Sequence, residues 1–152
     1  MRVYLPATLD ELQHGDPVLL GPRRVHVVTP GLRTTWPDED EEGWEYAAQA
    51  AAADDSLVLL AGRPDAPPLR VVVAADLPPG VVSEVTEPDV PSLARTVAEV
   101  GLDAVVSVHV DEPAAAADVR AALTGDEVSL ERLEEHDLLW YDVSEIGLIP
   151  RS

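Results

Sequence analysis

The sequence predicts an α+β fold, with a mixed α/β arrangement as the alternative: one mixed β-sheet with helices packed on it. Three observations lead there. Short β-branched runs recur along the chain, at 24–29, 69–75 and 103–110. Between the first two lies a long Ala-rich stretch with helical periodicity. Pro78-Pro79-Gly80 turns the chain between two strand-like runs, which argues for an antiparallel neighbour. At 152 residues the length suits one domain whose core needs neither metal nor disulfide.

Taken in order, Arg2-Val3-Tyr4-Leu5 alternates and reads as a short strand ending at Pro6. Thr8 and Glu11 have capping-box spacing, so a short helix is expected to about His14, closed by Gly15. A loop follows over 16–22, bracketed by Pro17 and Gly21-Pro22. The run 24–29 is a strand broken by Pro30-Gly31, and 32–36 forms about one helical turn. The acidic run Asp38-Glu39-Asp40-Glu41-Glu42 then favours a helix start through the helix dipole. The longest helix is read as 41–61, with Trp44, Ala48, Ala51 and Val58 on one face and Gly62 as its stop.

The run 69–75 is apolar on both faces and reads as a buried strand. Residues 81–86 alternate in part, as a strand pairing beside it or crossing the sheet edge. Ser92 is then expected to cap a helix through Val100, with Gly101 after it. The strand 103–110 follows. Asp111 caps the next helix, Pro113 suits its first turn, and it ends near Leu123 before Gly125. Residues 128–133 fit strand or helix, 138–141 is a strand, and Asp142 starts a short terminal helix. Residues 24–110 can thus be read in the β-α-β-β-α-β order of ferredoxin-like folds.

Composition excludes more than it identifies. The ten bases, all Arg, face 29 Asp and Glu, a net charge of −19. Such a chain is repelled by phosphate backbones and anionic lipid, so neither nucleic acid nor membrane is an expected partner. Without Cys, thiolate metal sites, Fe–S clusters and cysteine nucleophiles are excluded. Without Lys, P-loop and Schiff-base chemistry are excluded as well. There is no Gly-x-Ser-x-Gly elbow and no Rossmann glycine pattern. No apolar run has signal-peptide or membrane-span length, which predicts a cytoplasmic location. No cofactor is expected.

Four clusters remain as candidates. His109-Val110-Asp111-Glu112 lies where a strand meets a helix, a frequent ligand position, although Asp111 as a helix cap is the plainer reading. Glu134-Glu135-His136-Asp137 has metal-binding residue types without the His-Glu-x-x-His spacing. The acidic run at 38–42 suits a basic partner and lacks the EF-hand pattern. Trp36, Trp44 and Tyr46 are either core-edge aromatics or a binding shelf.

Several segments also resemble an uncharacterised family of small actinobacterial proteins. They are the opening Met1-Arg2-Val3-Tyr4-Leu5-Pro6-Ala7-Thr8, Val28-Thr29-Pro30, Leu32-Arg33, Glu45-Tyr46-Ala47-Ala48, the run from Arg70 to Asp76, and the closing His136-Asp137-Leu138-Leu139-Trp140-Tyr141. The resemblance spans nearly the whole chain and brings no catalytic residue with it.

The function expected from these features is a non-enzymatic interaction or regulatory protein. It would bind another protein through an acidic helical face made by Glu41, Glu42, Trp44, Glu45 and Tyr46. The alternative is a small enzyme or ligand-binding domain that uses carboxylates with His109 or His136. In its metal version the ligands would be His109, Asp111, Glu135 and His136.

Overall fold

The computed structural model describes residues 1–12, 19–87 and 89–151. The chain opens with β1 (Arg2–Ala7), which runs through Pro6 where the sequence suggested a stop. Pro6 accepts from the Arg23 guanidinium at 2.9 Å through its carbonyl. Its ring nitrogen faces the same way, toward β3 (Arg24–His26), whose pairing with β1 is confined to Tyr4 and His26. The missing N–H therefore costs no ladder bond with β4 (Val71–Asp76), which pairs with β1 along its whole length.

The other strands are β2 (Leu19–Leu20), β5 (Val82–Glu84), β6 (Leu93–Thr96), β7 (Val100–Gly101), β8 (Val105–Val110) and β9 (Leu139–Asp142). Seven form one sheet in the order β5-β6-β3-β1-β4-β8-β9, and β2 pairs with β7 apart from it. Every pairing among the described residues is antiparallel. The class is α+β, and the sheet is antiparallel rather than mixed. The ferredoxin-like order is not found, because residues 93–101, where its second helix would lie, form strands instead.

Two segments depart from what their sequence suggests. Residues 93–100 form β6 and β7, not a helix capped by Ser92. Leu, Ala and Arg favour a helix locally, but β6 fills the open edge of β3, pairing Val25 with Ala94 and His26 with Leu93. Burial of Leu93, Ala94 and Thr96 outweighs propensity. Likewise β2, within a stretch read as loop, finds its partner only across the fold. The expected helix end at His14 and Gly15, and Pro17 of the loop, lie outside the described residues. Thr8 and Glu11 do form their capping box, over a single 3-10 turn at Leu9–Glu11.

The helices are α1 (Pro30–Thr35), α2 (Glu41–Ala61), α3 (Ala116–Leu123) and α4 (Glu127–Glu135). α2 has the bounds its periodicity predicts, with Asp40 Oδ1 accepting from Gly43 N at 2.9 Å. Its buried stripe is Ala48, Ala52, Ser56 and Leu60, with Ala53 beside it. These are steps of four residues, so Val58 instead points to water. Small Ala side chains let the helix lie close on Tyr4, Val72 and Ala74 of one sheet face. The opposite face, with Val3, Leu5, Val73 and Val108, builds the main core with Leu9, Leu12, Leu20, Val100 and Ile149. α3 and α4 close the carboxyl end of α2 through Leu60, Ala115, Val119 and Leu133. Among the described residues no helix is long and apolar enough to cross a membrane.

Candidate functional site

α2 presents its amino-terminal turns at one side of the sheet. Glu41 and Glu42 sit in its first turn, where the helix dipole favours them. Glu41 is paired with Arg33 at 2.9 Å, and the Arg33 guanidinium stacks 4.5 Å above the Trp44 ring. Trp44 Nε1 donates to the Trp36 carbonyl at 2.9 Å, and its ring packs at the edge of the α2 core. Trp44 is therefore largely a packing residue. Glu45 is half-buried near Tyr4, whose hydroxyl is pushed up by burial and then by the Glu45 charge. Tyr46 is 59% exposed, with its hydroxyl 3.5 Å from Asp137 Oδ1, and Trp36 is exposed as well.

Sheet register adds a residue that sequence reasoning placed only in a strand. Val72 faces α2, pairs with His109, and His109 pairs with Trp140. Trp140 hence stands on the α2 side of the sheet, on strand β9, and is 60% exposed. His109 Nε2 lies 3.0 Å from Ser107 Oγ. Burial, followed by the Arg2 charge, holds its pKa below the ordinary range, so the ring is neutral near pH 7.

Between α2 and the turn from α4 to β9 lies a cavity of about 280 Å³. Its polar lining includes Tyr46, Asp54, Arg70, Glu134, His136 and Asp137. Burial pushes the Asp54 carboxyl up, against the pull of the Arg70 charge. Arg70 itself is buried and clamped by Asp111, with Nε to Oδ2 at 2.9 Å and a terminal nitrogen to Oδ1 at 2.8 Å. The same terminal nitrogen donates to the Leu133 carbonyl at 3.1 Å. Asp111 is neither a helix cap nor open to a metal: its carboxylate is filled by Arg70.

His136 Nδ1 lies 3.6 Å from Glu112 Oε1, and Glu135 is exposed at the end of α4. The four residues of the metal reading are thus dispersed: His136 lines the cavity, Asp111 holds Arg70, His109 bonds Ser107, and Glu135 faces water. Among the described residues no group of three or more His, Asp or Glu is arranged to hold a metal ion.

A second polar cluster escaped the sequence reading. His26 is buried on β3, with Nδ1 2.7 Å from Ser92 Oγ and Nε2 2.7 Å from Asp55 Oδ2. Asp55 also lies 3.6 Å from Arg24 Nε. Two signals pointed to it. His26 is the single polar residue inside Val25-His26-Val27-Val28, and Asp54-Asp55 interrupts an apolar helix far from its amino end. Ser92 has the look of a helix cap in the sequence because its partner lies 66 residues away.

A family model described as a family of unknown function (DUF6912) matches residues 1–149. No curated protein and no solved structure matches the chain.

Proposed function

We propose that this chain, which belongs to that family of unknown function, acts by binding another protein that offers a basic segment. The binding face is the amino-terminal half of α2 together with β9. The observation that carries this reading is the exposure of Tyr46 and Trp140, 59% and 60%, on the side of the sheet that bears Glu41, Glu42, Glu45 and Asp137. Exposed aromatics are enriched at recognition surfaces, where their apolar rings supply area and the rim supplies charge. A net charge of −19 speeds encounter with a basic surface and repels nucleic acid and anionic lipid. Arg33 and Trp36 fix Trp44, so the helix end meets a partner already ordered.

The test is affinity capture from native lysate at low and high salt, with wild type and with Y46A/W140A and E42Q/E45Q. One stoichiometric partner should be lost at high salt and with either double variant. A partner retained by both variants, or indifferent to salt, rules out this face as the driver.

A second reading rests on the cavity beside Tyr46. Its carboxylates Asp54, Glu134 and Asp137 outnumber its one guanidinium, which Asp111 already neutralises, and this favours a small organic cation. Raised thermal stability with an amine panel, abolished by D54N, supports it. No shift across amines and divalent cations removes it.

A further inference from the structure

We propose that Ser92, His26 and Asp55 form a nucleophile, base and orienting group for acyl transfer from small esters that carry a positive charge. The three residues come from the turn before β6, from β3 and from the middle of α2, and all three line a second cavity of about 280 Å³ on the other flank of α2. The His26 ring is 1% exposed and bridges the other two at 2.7 Å on each side.

The tautomer follows from the partners. Burial pushes the Asp55 carboxyl up, but the hydrogen bond with His26 Nε2 at 2.7 Å and the charge of Arg24, 3.6 Å away, hold it below the ordinary range, so Asp55 is ionised. An ionised carboxylate only accepts, so Nε2 carries the ring proton and donates it to Asp55. Nδ1 then presents its lone pair to the Ser92 hydroxyl, which is the relation a serine nucleophile needs with its base. The ring nitrogens are exchanged relative to the common serine triad, and their roles are kept.

The chemistry balances with water as the only co-reactant. Ser92 Oγ attacks the acyl carbon and its proton passes to His26 Nδ1, while the carbonyl π pair moves onto oxygen. Collapse of the tetrahedral adduct breaks the ester C–O bond, and the imidazolium returns that proton to the departing alkoxide. Water then attacks the acyl-serine, giving a proton to Nδ1. Ser92 Oγ leaves and recovers it, and the carboxylic acid is released. Asp55 holds the ring and stabilises its cationic form. Arg24 lines the cavity with its Nε 3.6 Å from Asp55 Oδ2, and its terminal nitrogens supply positive charge for the developing oxyanion. Trp36, Asp54 and Asp89 line the same cavity and select a cationic substrate over an anionic one.

The test uses the full chain and three fluorophosphonates of one size, with a quaternary ammonium, a neutral or a carboxylate tail, read by intact mass and peptide mapping. Folded wild type should gain one adduct, on Ser92, fastest with the ammonium tail, and heat-denatured protein should gain none there. H26Q and D55N should slow labelling roughly 100-fold or more, the range of a positioned general base. Circular dichroism identifies any variant that fails to fold, and the wild-type result stands without it. No adduct on Ser92 of the folded protein, or equal labelling of other hydroxyls, overturns the proposal. A Ser92 adduct whose rate ignores H26Q in a folded variant overturns the role of His26 as base.

Discussion

Asp111→Ala should be among the most damaging single substitutions in this protein. The Asp111 side chain is 1% exposed and that of Arg70 is 6% exposed. Asp111 accepts three hydrogen bonds from Arg70: the backbone N–H at 2.8 Å, Nε at 2.9 Å and a terminal nitrogen at 2.8 Å. Alanine removes all three and leaves the guanidinium buried with one remaining contact, the Leu133 carbonyl. Stranding one partner of a buried pair costs about 3–5 kcal/mol. With a urea slope of roughly 2 kcal/mol/M, the unfolding midpoint should fall by about 1.5–2.5 M at unchanged slope. Trp fluorescence in urea reads this directly. The control is D76A, which breaks the exposed Arg2–Asp76 pair, with side chains 41% and 58% exposed. That substitution should cost less than about 1 kcal/mol. R70M/D111L replaces the pair with apolar volume and should recover part of the loss, since the backbone N–H of residue 70 still lacks its acceptor. A D111A midpoint no lower than that of D76A would refute the reasoning.

Three further outcomes follow from particular contacts. Ser56→Ala removes a hydroxyl that donates to the Ala7 carbonyl at 2.7 Å and accepts from Val71 N at 2.9 Å. Orphaning those groups under α2 should cost about 1–3 kcal/mol in urea unfolding. For Glu11, burial pushes the carboxyl up, but Arg23 at 2.7 Å and its charge bring it below the ordinary range. That stability is fully present above the unfolded value of about 4.3 and is lost as pH falls through the folded value. The stability difference between wild type and E11Q should therefore shrink on acidification below about pH 4.3, and a pH-independent difference would contradict it. Gly125 has φ of 93°, between α3 and α4. Gly125→Ala should lower stability by about 1–2 kcal/mol through backbone strain, since no neighbour lies within 4 Å to clash.

Local signals were legible in the sequence and contact signals were not. α2 was readable to its ends because its cap at Asp40, its Ala-rich interior and Gly62 all act within a few residues. The capping box at Thr8 and the helix start at Asp142 were readable for the same reason. Residues 93–100 were misread because β6 is held by bonds to β3 and β5, which no local pattern encodes. Of the acidic-face residues, Glu41, Glu42 and Tyr46 are exposed as that reading needs, whereas Trp44 is committed to packing. Trp140 joined them only through the register of β8 with β9.

The division has a physical cause. Composition and short-range pattern determined the net charge, the excluded chemistries, the α+β class and the helix that anchors the sheet, because these depend on residue type or on neighbours within one or two turns. The antiparallel sheet order, the Arg70–Asp111 clamp and the Ser92–His26–Asp55 bridge were decided by the tertiary structure. The two polar clusters unite side chains between 29 and 66 residues apart. Closing such distances takes the burial free energy of the whole core, and no single segment states in advance which polar groups it will bring together.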